Sequence, residues 1–141
     1  MAIVAAVPLL AACAEKSAPR PEIRVEGAWV RAVAGPGANS AAYMILRNVG
    51  NAPERLTGAG SGAARIAELH RTTIDPQGMA RMGRVAAIDL APGGEARLEP
   101  GGYHLMLMGV SRTLSEGDTV KLYLHFEVTG SLDVAAEVRA F

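Results

Sequence analysis

Histidine and methionine side chains cluster in one part of this chain of 141 residues. Leaving aside the first residue, four of its five methionines lie between positions 79 and 108, and two of its three histidines, His70 and His104, lie in or beside that window. From His104 the chain alternates, His-Leu-Met-Leu-Met, and successive residues of a β-strand point to opposite faces. We therefore expect His104, Met106 and Met108 to share one strand face, which sets an imidazole beside thioethers.

A metal ion bound there needs donors from a second segment, because one strand cannot surround an ion. The soft or borderline donors available are His70, Met79 and Met82. Met79 and Met82 are an odd number of positions apart, so on a regular strand at most one of them points toward the site. Thioethers are neutral and soft, whereas zinc, calcium and magnesium draw on carboxylates, thiolates, carbonyls or imidazoles, so two methionines with two histidines favour Cu(I). Such neutral ligands are expected to release the ion to a partner more readily than a cage of thiolates would.

Turn residues divide the chain from Ile23 onward into short apolar or alternating segments, the pattern of an all-β sandwich or barrel. Breaks such as AGPGANS, NVGNAP, IDPQG and SEGD supply residues for backbone angles that strands avoid, and GAGSG at 58 to 62 is predicted to be only a loop. The predicted strands are Ile23 to Arg31, Ala41 to Asn48, Arg55 to Thr57, Arg65 to His70, Ala80 to Ile88, Ala96 to Leu98, Tyr103 to Met108, Thr119 to Thr129 and Leu132 to Arg139.

The segment VKLYLHFEV has the clearest strand pattern. One face is predicted to be apolar, with Val120, Leu122, Leu124, Phe126 and Val128, and the other polar. Because aromatic residues make up only 4% of the chain, the core is expected to consist of aliphatic side chains with Trp29 and Phe126. Methionines on strands usually fill cores, which is the role predicted for Met44 and Met108, and His125 is predicted to be solvated.

At these histidines and methionines the chain resembles the periplasmic copper chaperones of bacteria that supply copper to the CuA centre of cytochrome c oxidase, the PCu(A)C family. That family's signature is a His, optionally followed by Met, then a ten-residue spacer, a Met, a twenty-one-residue spacer and His-x-Met. Here His70-Arg71 is followed by ten residues and Met82, and twenty-one more precede His104-Leu105-Met106. The stretch PGGYHLMLM is the most specific part of a resemblance that covers roughly residues 23 to 138.

The resemblance implies a cupredoxin-like Greek-key β-sandwich that binds Cu(I) and hands it on without enzymatic turnover. It assigns the metal-ligand roles to His70, Met82, His104 and Met106. Arg71 replaces the optional methionine, which we expect to place a cation near the ion. The implied partners are cytochrome c oxidase subunit II, at its CuA site, or a thioredoxin-fold copper assembly factor.

The first residues indicate export from the cytoplasm. MAIVAAVPLLAA is apolar and too short to span a bilayer, and Leu10-Ala11-Ala12-Cys13 resembles the lipobox of bacterial lipoproteins, in which the cysteine is lipidated. We therefore predict a signal and lipobox segment over residues 1–13, a flexible linker over 14–22 and one copper-binding domain over 23–141. The protein is then periplasmic, with Cys13 as a possible lipid anchor to the membrane.

Charge and cysteine content exclude several classes of protein. Fourteen basic residues balance fourteen acidic ones, which argues against a nucleic-acid-binding surface. Cys13 is the only cysteine, so an internal disulfide, a cysteine-rich zinc site and a blue-copper site are excluded. Two alternatives stay open, a cupredoxin-like electron-transfer protein and a structural lipoprotein without a metal.

Overall fold

The computed structural model describes Cys13 and residues 16–141, and the predicted signal segment therefore lies almost wholly outside the described residues. The described part is all β and contains no helix, hence none long and apolar enough to cross a membrane. Its ten strands are β1 (Ile23–Arg31), β2 (Ser40–Asn48), β3 (Glu54–Ser61), β4 (Ala64–Ile74), β5 (Ala80–Arg84), β6 (Ile88–Leu90), β7 (Glu95–Leu98), β8 (Tyr103–Val110), β9 (Thr119–Phe126) and β10 (Gly130–Arg139).

The strands form one sheet that closes on itself. Its order is β5-β4-β8-β7-β2-β1-β10-β9-β3-β6, and an additional pairing of β3 with β4 joins the two halves into a ring, with β5 and β6 attached outside it. Most pairs are antiparallel, while β1 with β10 and β7 with β8 are parallel. The predicted all-β, cupredoxin-like fold is confirmed.

The core lies inside the ring and is mostly aliphatic. Leu46, Leu56, Leu105, Leu107 and Leu122 have no exposed surface. Other members of the same cluster include Val30, Met44, Leu69, Leu98, Leu124, Phe126 and Val138, so the packing role predicted for Met44 is confirmed. Burial of these side chains supplies most of the driving force for folding.

Trp29 is not a core residue, contrary to the prediction. The register between β1 and β2 shifts by one residue after Glu26, a β-bulge where Gly27 adopts a positive φ of 59°. This extra residue reverses the alternation, so Val30 enters the core and Trp29 turns to the outer face, 4.6 Å from the ring of Tyr43.

Several strand boundaries also differ from the prediction, and β4 extends four residues beyond its predicted end at His70. The segment from Ala80 to Ile88 is two strands, because after Val85 the chain leaves β4 to pair β6 with β3. Strand β9 ends at Phe126, so Val128 lies in a turn and is 62% exposed instead of buried. Residues 58–61 of the loop predicted at 58–62 are the second half of β3, where a Cβ on Gly58 would lie 3.6 Å from the His125 ring that packs across the strand.

Glu54 is a buried carboxylate, 3% exposed, that closes the turn between β9 and β10. Its oxygens accept hydrogen bonds from the backbone N–H groups of Arg55, Val128 and Thr129 and from the Thr129 hydroxyl. Burial alone would raise the pKa of Glu54, but these hydrogen bonds outweigh it and hold the pKa below its ordinary value.

Replacing this carboxylate should destabilise the fold. We expect Glu54→Gln to lower the free energy of unfolding by about 1–3 kcal/mol at neutral pH, because Thr129 loses charge-assisted hydrogen bonds. The difference from wild type should shrink as the pH falls through the lowered pKa of Glu54, where the native carboxylate is protonated. Urea unfolding followed by circular dichroism measures both, with the exposed Glu127→Gln as the matched control. Equal losses in the two variants would contradict the role assigned to Glu54.

Candidate metal centre

The two histidines of the predicted site are direct neighbours across two strands. In the antiparallel pairing of β4 with β8, His70 lies opposite His104, and their ring centroids are 5.8 Å apart. Both point to the outer face, because the alternate residues Leu69 and Leu105 point into the core. The predicted alternation of β8 is confirmed, and two imidazoles separated by thirty-four positions in the chain meet on one surface.

Both predicted methionine ligands flank this pair on the same face. Met106 lies two residues beyond His104 on β8, and Met82 lies opposite Thr72, two residues beyond His70, on β5. Each methionine is therefore a diagonal neighbour of His70, and diagonal positions in a sheet are about 7–8 Å apart, within reach of a long side chain. Met106 is half-buried, whereas Met82 is 62% exposed.

One nitrogen of each imidazole makes a hydrogen bond that orients the ring. His104 Nδ1 lies 3.2 Å from the carbonyl oxygen of Gly102, and His70 Nε2 lies 3.0 Å from Oε2 of Glu68. Because a carbonyl and a carboxylate only accept hydrogen bonds, these nitrogens carry the protons. The lone pairs of the neutral rings are consequently on His104 Nε2 and His70 Nδ1.

Those two nitrogens are the buried side-chain atoms that lack a hydrogen-bond partner in the described part of the chain. A buried polar atom left unpaired costs about 1–3 kcal/mol, which a native structure rarely tolerates without reason. Two such atoms on adjacent rings, each with its lone pair free, make these histidines candidate metal ligands. The described residues contain no group of three or more His, Cys, Asp or Glu that could hold an ion, and the soft donors on the same face as the two rings are the thioethers of Met82 and Met106.

The surroundings of His104 favour the neutral form of its imidazole. His104 is only 3% exposed and lies beneath Tyr43, whose ring centroid is 6.4 Å away. Burial, helped by the positive charge of Arg31, lowers the pKa of His104 from its ordinary value and outweighs the hydrogen bond to the Gly102 carbonyl, which raises it. The imidazole therefore stays available as a donor to lower pH than an exposed histidine would.

Residues 23–138 match the sequence profile of a family described as "Putative lipoprotein LpqE-like". The chain belongs to this LpqE-like family. A curated relative, "Putative lipoprotein Lxx21020" of Leifsonia xyli subsp. xyli (strain CTCB07), is 32% identical over 119 residues, which cover 84% of this chain and 70% of that protein.

Two solved structures share the fold and part of the sequence. The copper-bound PCuAC domain from PmoF2 is 28% identical, with a TM-score of 0.70 over 84% of this chain and 93% of that domain. The solution structure of CuI-DR1885 from Deinococcus radiodurans is 34% identical, with a TM-score of 0.60 over 82% of this chain and 78% of that protein.

Arg71 of this LpqE-like chain does not lie on the face of the histidines, contrary to the expectation of a cation beside the ion. It occurs one residue after His70, and alternation turns it to the other face, where its guanidinium lies 5.0 Å from the centroid of the Tyr103 ring. Arg84 does lie on the histidine face, where it pairs with His70 in register and approaches Glu68 at 4.0 Å.

Met79, Met108 and His125 are not among the predicted ligands. Met79 lies in the turn between β4 and β5, whereas Met82 lies in β5. Met108 is half-buried on the same face as Met106, opposite Ile66. His125 is exposed, as predicted, and packs against Gly58 on β3.

Sequence reasoning missed two residues of this centre, Glu68 and Tyr43. Glu68 precedes His70 by two positions, so it shares the face of His70 once that segment is a strand, and this spacing could have identified it. Tyr43 belongs to β2, which pairs with β8 near His104, and no spacing within the chain predicts that long-range register.

The geometry predicts a depressed pKa for His104 that NMR can measure. We expect the imidazole of His104 in the metal-free folded protein to titrate below about 6.5, the ordinary value, since burial disfavours the charged ring. The same residue in the urea-unfolded chain is the reference, and its titration should lie at higher pH. A folded-state pKa equal to or above the reference would contradict the burial of this ring.

Proposed function

We propose that this protein is an extracytoplasmic carrier of Cu(I), which binds the ion through His70, Met82, His104 and Met106 and delivers it to an acceptor protein. The observation that carries the proposal is the pair of buried, unpaired nitrogens, His70 Nδ1 and His104 Nε2, flanked by two thioethers on one sheet face. No catalytic turnover is proposed.

The donor chemistry supports copper over other metals. Two imidazoles with two thioethers form a soft, neutral set, which suits Cu(I) and offers little to zinc, calcium or magnesium. Structural relatives whose titles name bound copper, the PmoF2 domain and CuI-DR1885, are consistent with this choice.

The ligands differ in how firmly the fold holds them, which suggests an order of release. His70 and His104 are fixed by hydrogen bonds on strands that enclose the core, whereas Met82 is exposed on the short strand β5. An incoming donor from the acceptor would replace Met82 first, and the other thioether and the imidazoles would follow. Glu68 acts as a positioning residue that holds the His70 ring and supplies a negative charge near the ion.

The acceptor and the location follow from the family resemblance. We propose cytochrome c oxidase subunit II, at its CuA site, or a thioredoxin-fold copper assembly factor as the acceptor. We further propose that residues 1–13 are a periplasmic export signal ending in a lipidated Cys13, and that residues 14–22 tether the copper-binding domain, residues 23–141, to the membrane. The described Cys13 is exposed, and the family is named for lipoproteins.

Competition with a chromogenic Cu(I) chelator tests the ligand set. We expect the double variant His104→Ala/Met106→Ala to bind Cu(I) at least about a hundredfold more weakly than wild type, because it removes one imidazole and one thioether. The matched control is Met108→Leu, which removes the next thioether on the same strand face and should leave the affinity within about twofold. Equal affinities for wild type and the double variant would support a structural lipoprotein without a metal.

X-ray absorption on the copper-loaded domain identifies the bound atoms. Two sulfur and two nitrogen scatterers are expected, and Met82→Leu should remove one sulfur. A strong visible thiolate-to-copper band on oxidation would instead favour an electron-transfer protein. Delivery is measured by mixing the loaded protein with the metal-free CuA domain of subunit II, separating the two proteins and determining the copper content of each.

The positioning role of Glu68 gives a separate prediction. We expect Glu68→Gln to weaken Cu(I) binding about tenfold to a hundredfold, because the amide orients His70 less firmly and lacks the carboxylate charge. The sulfur and nitrogen count from X-ray absorption should remain that of wild type, which distinguishes a positioning residue from a ligand. Glu99→Gln, an exposed acidic residue beyond β7, is the control. Unchanged affinity in Glu68→Gln would refute the role of Glu68.

A further inference from the structure

Strand β5 is a free sheet edge immediately beside the candidate metal centre. Within the described part of the chain it pairs with β4 alone and ends the strand order. All five of its residues are exposed. Met82, the proposed ligand at its middle, therefore lies on the rim of the sheet.

The hydrogen-bond pattern shows which backbone groups this edge offers. The N–H of Asp75 donates to the carbonyl of Met79, and the N–H of Val85 donates to the carbonyl of Leu69. In an antiparallel pair the hydrogen-bonded positions alternate, so the bonded residues of β5 are Arg81 and Gly83. The N–H and C=O groups of Ala80, Met82 and Arg84 consequently point away from β4 and are available to another strand.

The side chains around this edge carry an excess of positive charge. Three arginines, Arg71, Arg81 and Arg84, outnumber two carboxylates here, although the whole chain is neutral. The carboxylates are Asp75, which lies 2.8 Å from Arg81, and Glu68, which lies 4.0 Å from Arg84. Two apolar side chains, Ile74 and Met82, are exposed by 68% and 62%, and their positions in register place both on the face of the histidines.

The free backbone groups of β5 and the positive charge around it together favour an acidic binding partner. A strand added to the edge would gain backbone hydrogen bonds from Ala80, Met82 and Arg84, as in other complexes formed by strand addition. Arginines on an edge strand disfavour pairing with a second copy of the same chain, which would bring the same positive excess. An acidic partner gains both complementary charge and the hydrogen bonds.

We propose that β5 is the docking edge for the copper acceptor, which adds an extended acidic segment of its own chain alongside Ala80, Met82 and Arg84. The inference rests on the proposed function, since it identifies where the copper-accepting partner binds. Docking there brings the donors of the partner next to Met82, the most exposed of the four proposed ligands.

The probe is a short synthetic peptide of alternating glutamate and valine, capped at both ends, added to the nitrogen-15-labelled protein. We expect the amide signals of Ala80, Met82 and Arg84 to shift and their hydrogen exchange to slow at least about threefold when the peptide binds, because these amides then form hydrogen bonds. The same peptide with lysine in place of glutamate should leave them unchanged. Shifts without slower exchange would indicate side-chain contacts only and would overturn the proposal.

A matched pair of variants tests the backbone contribution. Ala80→Pro removes one outward N–H without removing a hydrogen bond to β4, whereas Ala80→Val keeps that N–H. We expect peptide binding to weaken at least about tenfold in Ala80→Pro and less than about threefold in Ala80→Val. Arg81→Gln, which leaves the backbone unaltered, should weaken binding through lost charge and keeps the proposal testable where the proline disturbs β5.

Cu(I) affinity, measured on the same proteins, separates this inference from the proposed function. Neither residue 80 nor residue 81 is a proposed ligand, so Ala80→Val and Arg81→Gln should bind Cu(I) as wild type does, and so should Ala80→Pro when β5 remains intact. Normal Cu(I) binding with equal peptide affinity in Ala80→Pro and Ala80→Val would overturn the docking edge alone. Failure of the wild type to bind Cu(I) would overturn the proposed function, whatever the peptide does.

Discussion

The register between β4 and β8 is the constraint on which the metal centre depends. It sets His70 opposite His104 because Leu69 and Leu105, the neighbours of the two histidines, are also paired and are buried at 3% and 0% exposure. A slip of one residue would expose one leucine row and carry an imidazole into the core. The hydrophobic effect that folds the sheet therefore also assembles two donors from distant parts of the chain.

Burial of the two imidazoles favours metal binding, but it lowers the stability of the metal-free fold. Each has one nitrogen satisfied, by Gly102 for His104 and by Glu68 for His70, and the other buried without a partner. Leaving such nitrogens unpaired costs free energy that the aliphatic core must offset. A bound cation would satisfy both nitrogens at once, so ligand binding and stabilisation of this edge of the sheet are expected to be coupled.

How much of this could be predicted from sequence depends on the range of the interaction. The face shared by His104 and Met106 follows from local alternation, because Leu105 and Leu107 leave no other orientation in a buried sheet. The orientation of Trp29 does not follow from local alternation, because a bulge near Gly27 reverses it. Strand pairings such as that of β2 with β8 depend on packing of the whole ring, and no motif in the chain encodes them.

The positions of the four proposed ligands in the sheet would separate holding an ion from releasing it. His70 and His104 belong to strands that are paired on both sides, so moving them would break the ring. Met82 belongs to a short strand held by β4 alone among the described residues, and such strands open locally at low free-energy cost. A site placed wholly inside the ring would require a more costly opening of the sheet to release its ion. Placing one donor on an edge strand allows ligand exchange while the core and the histidine pair remain intact.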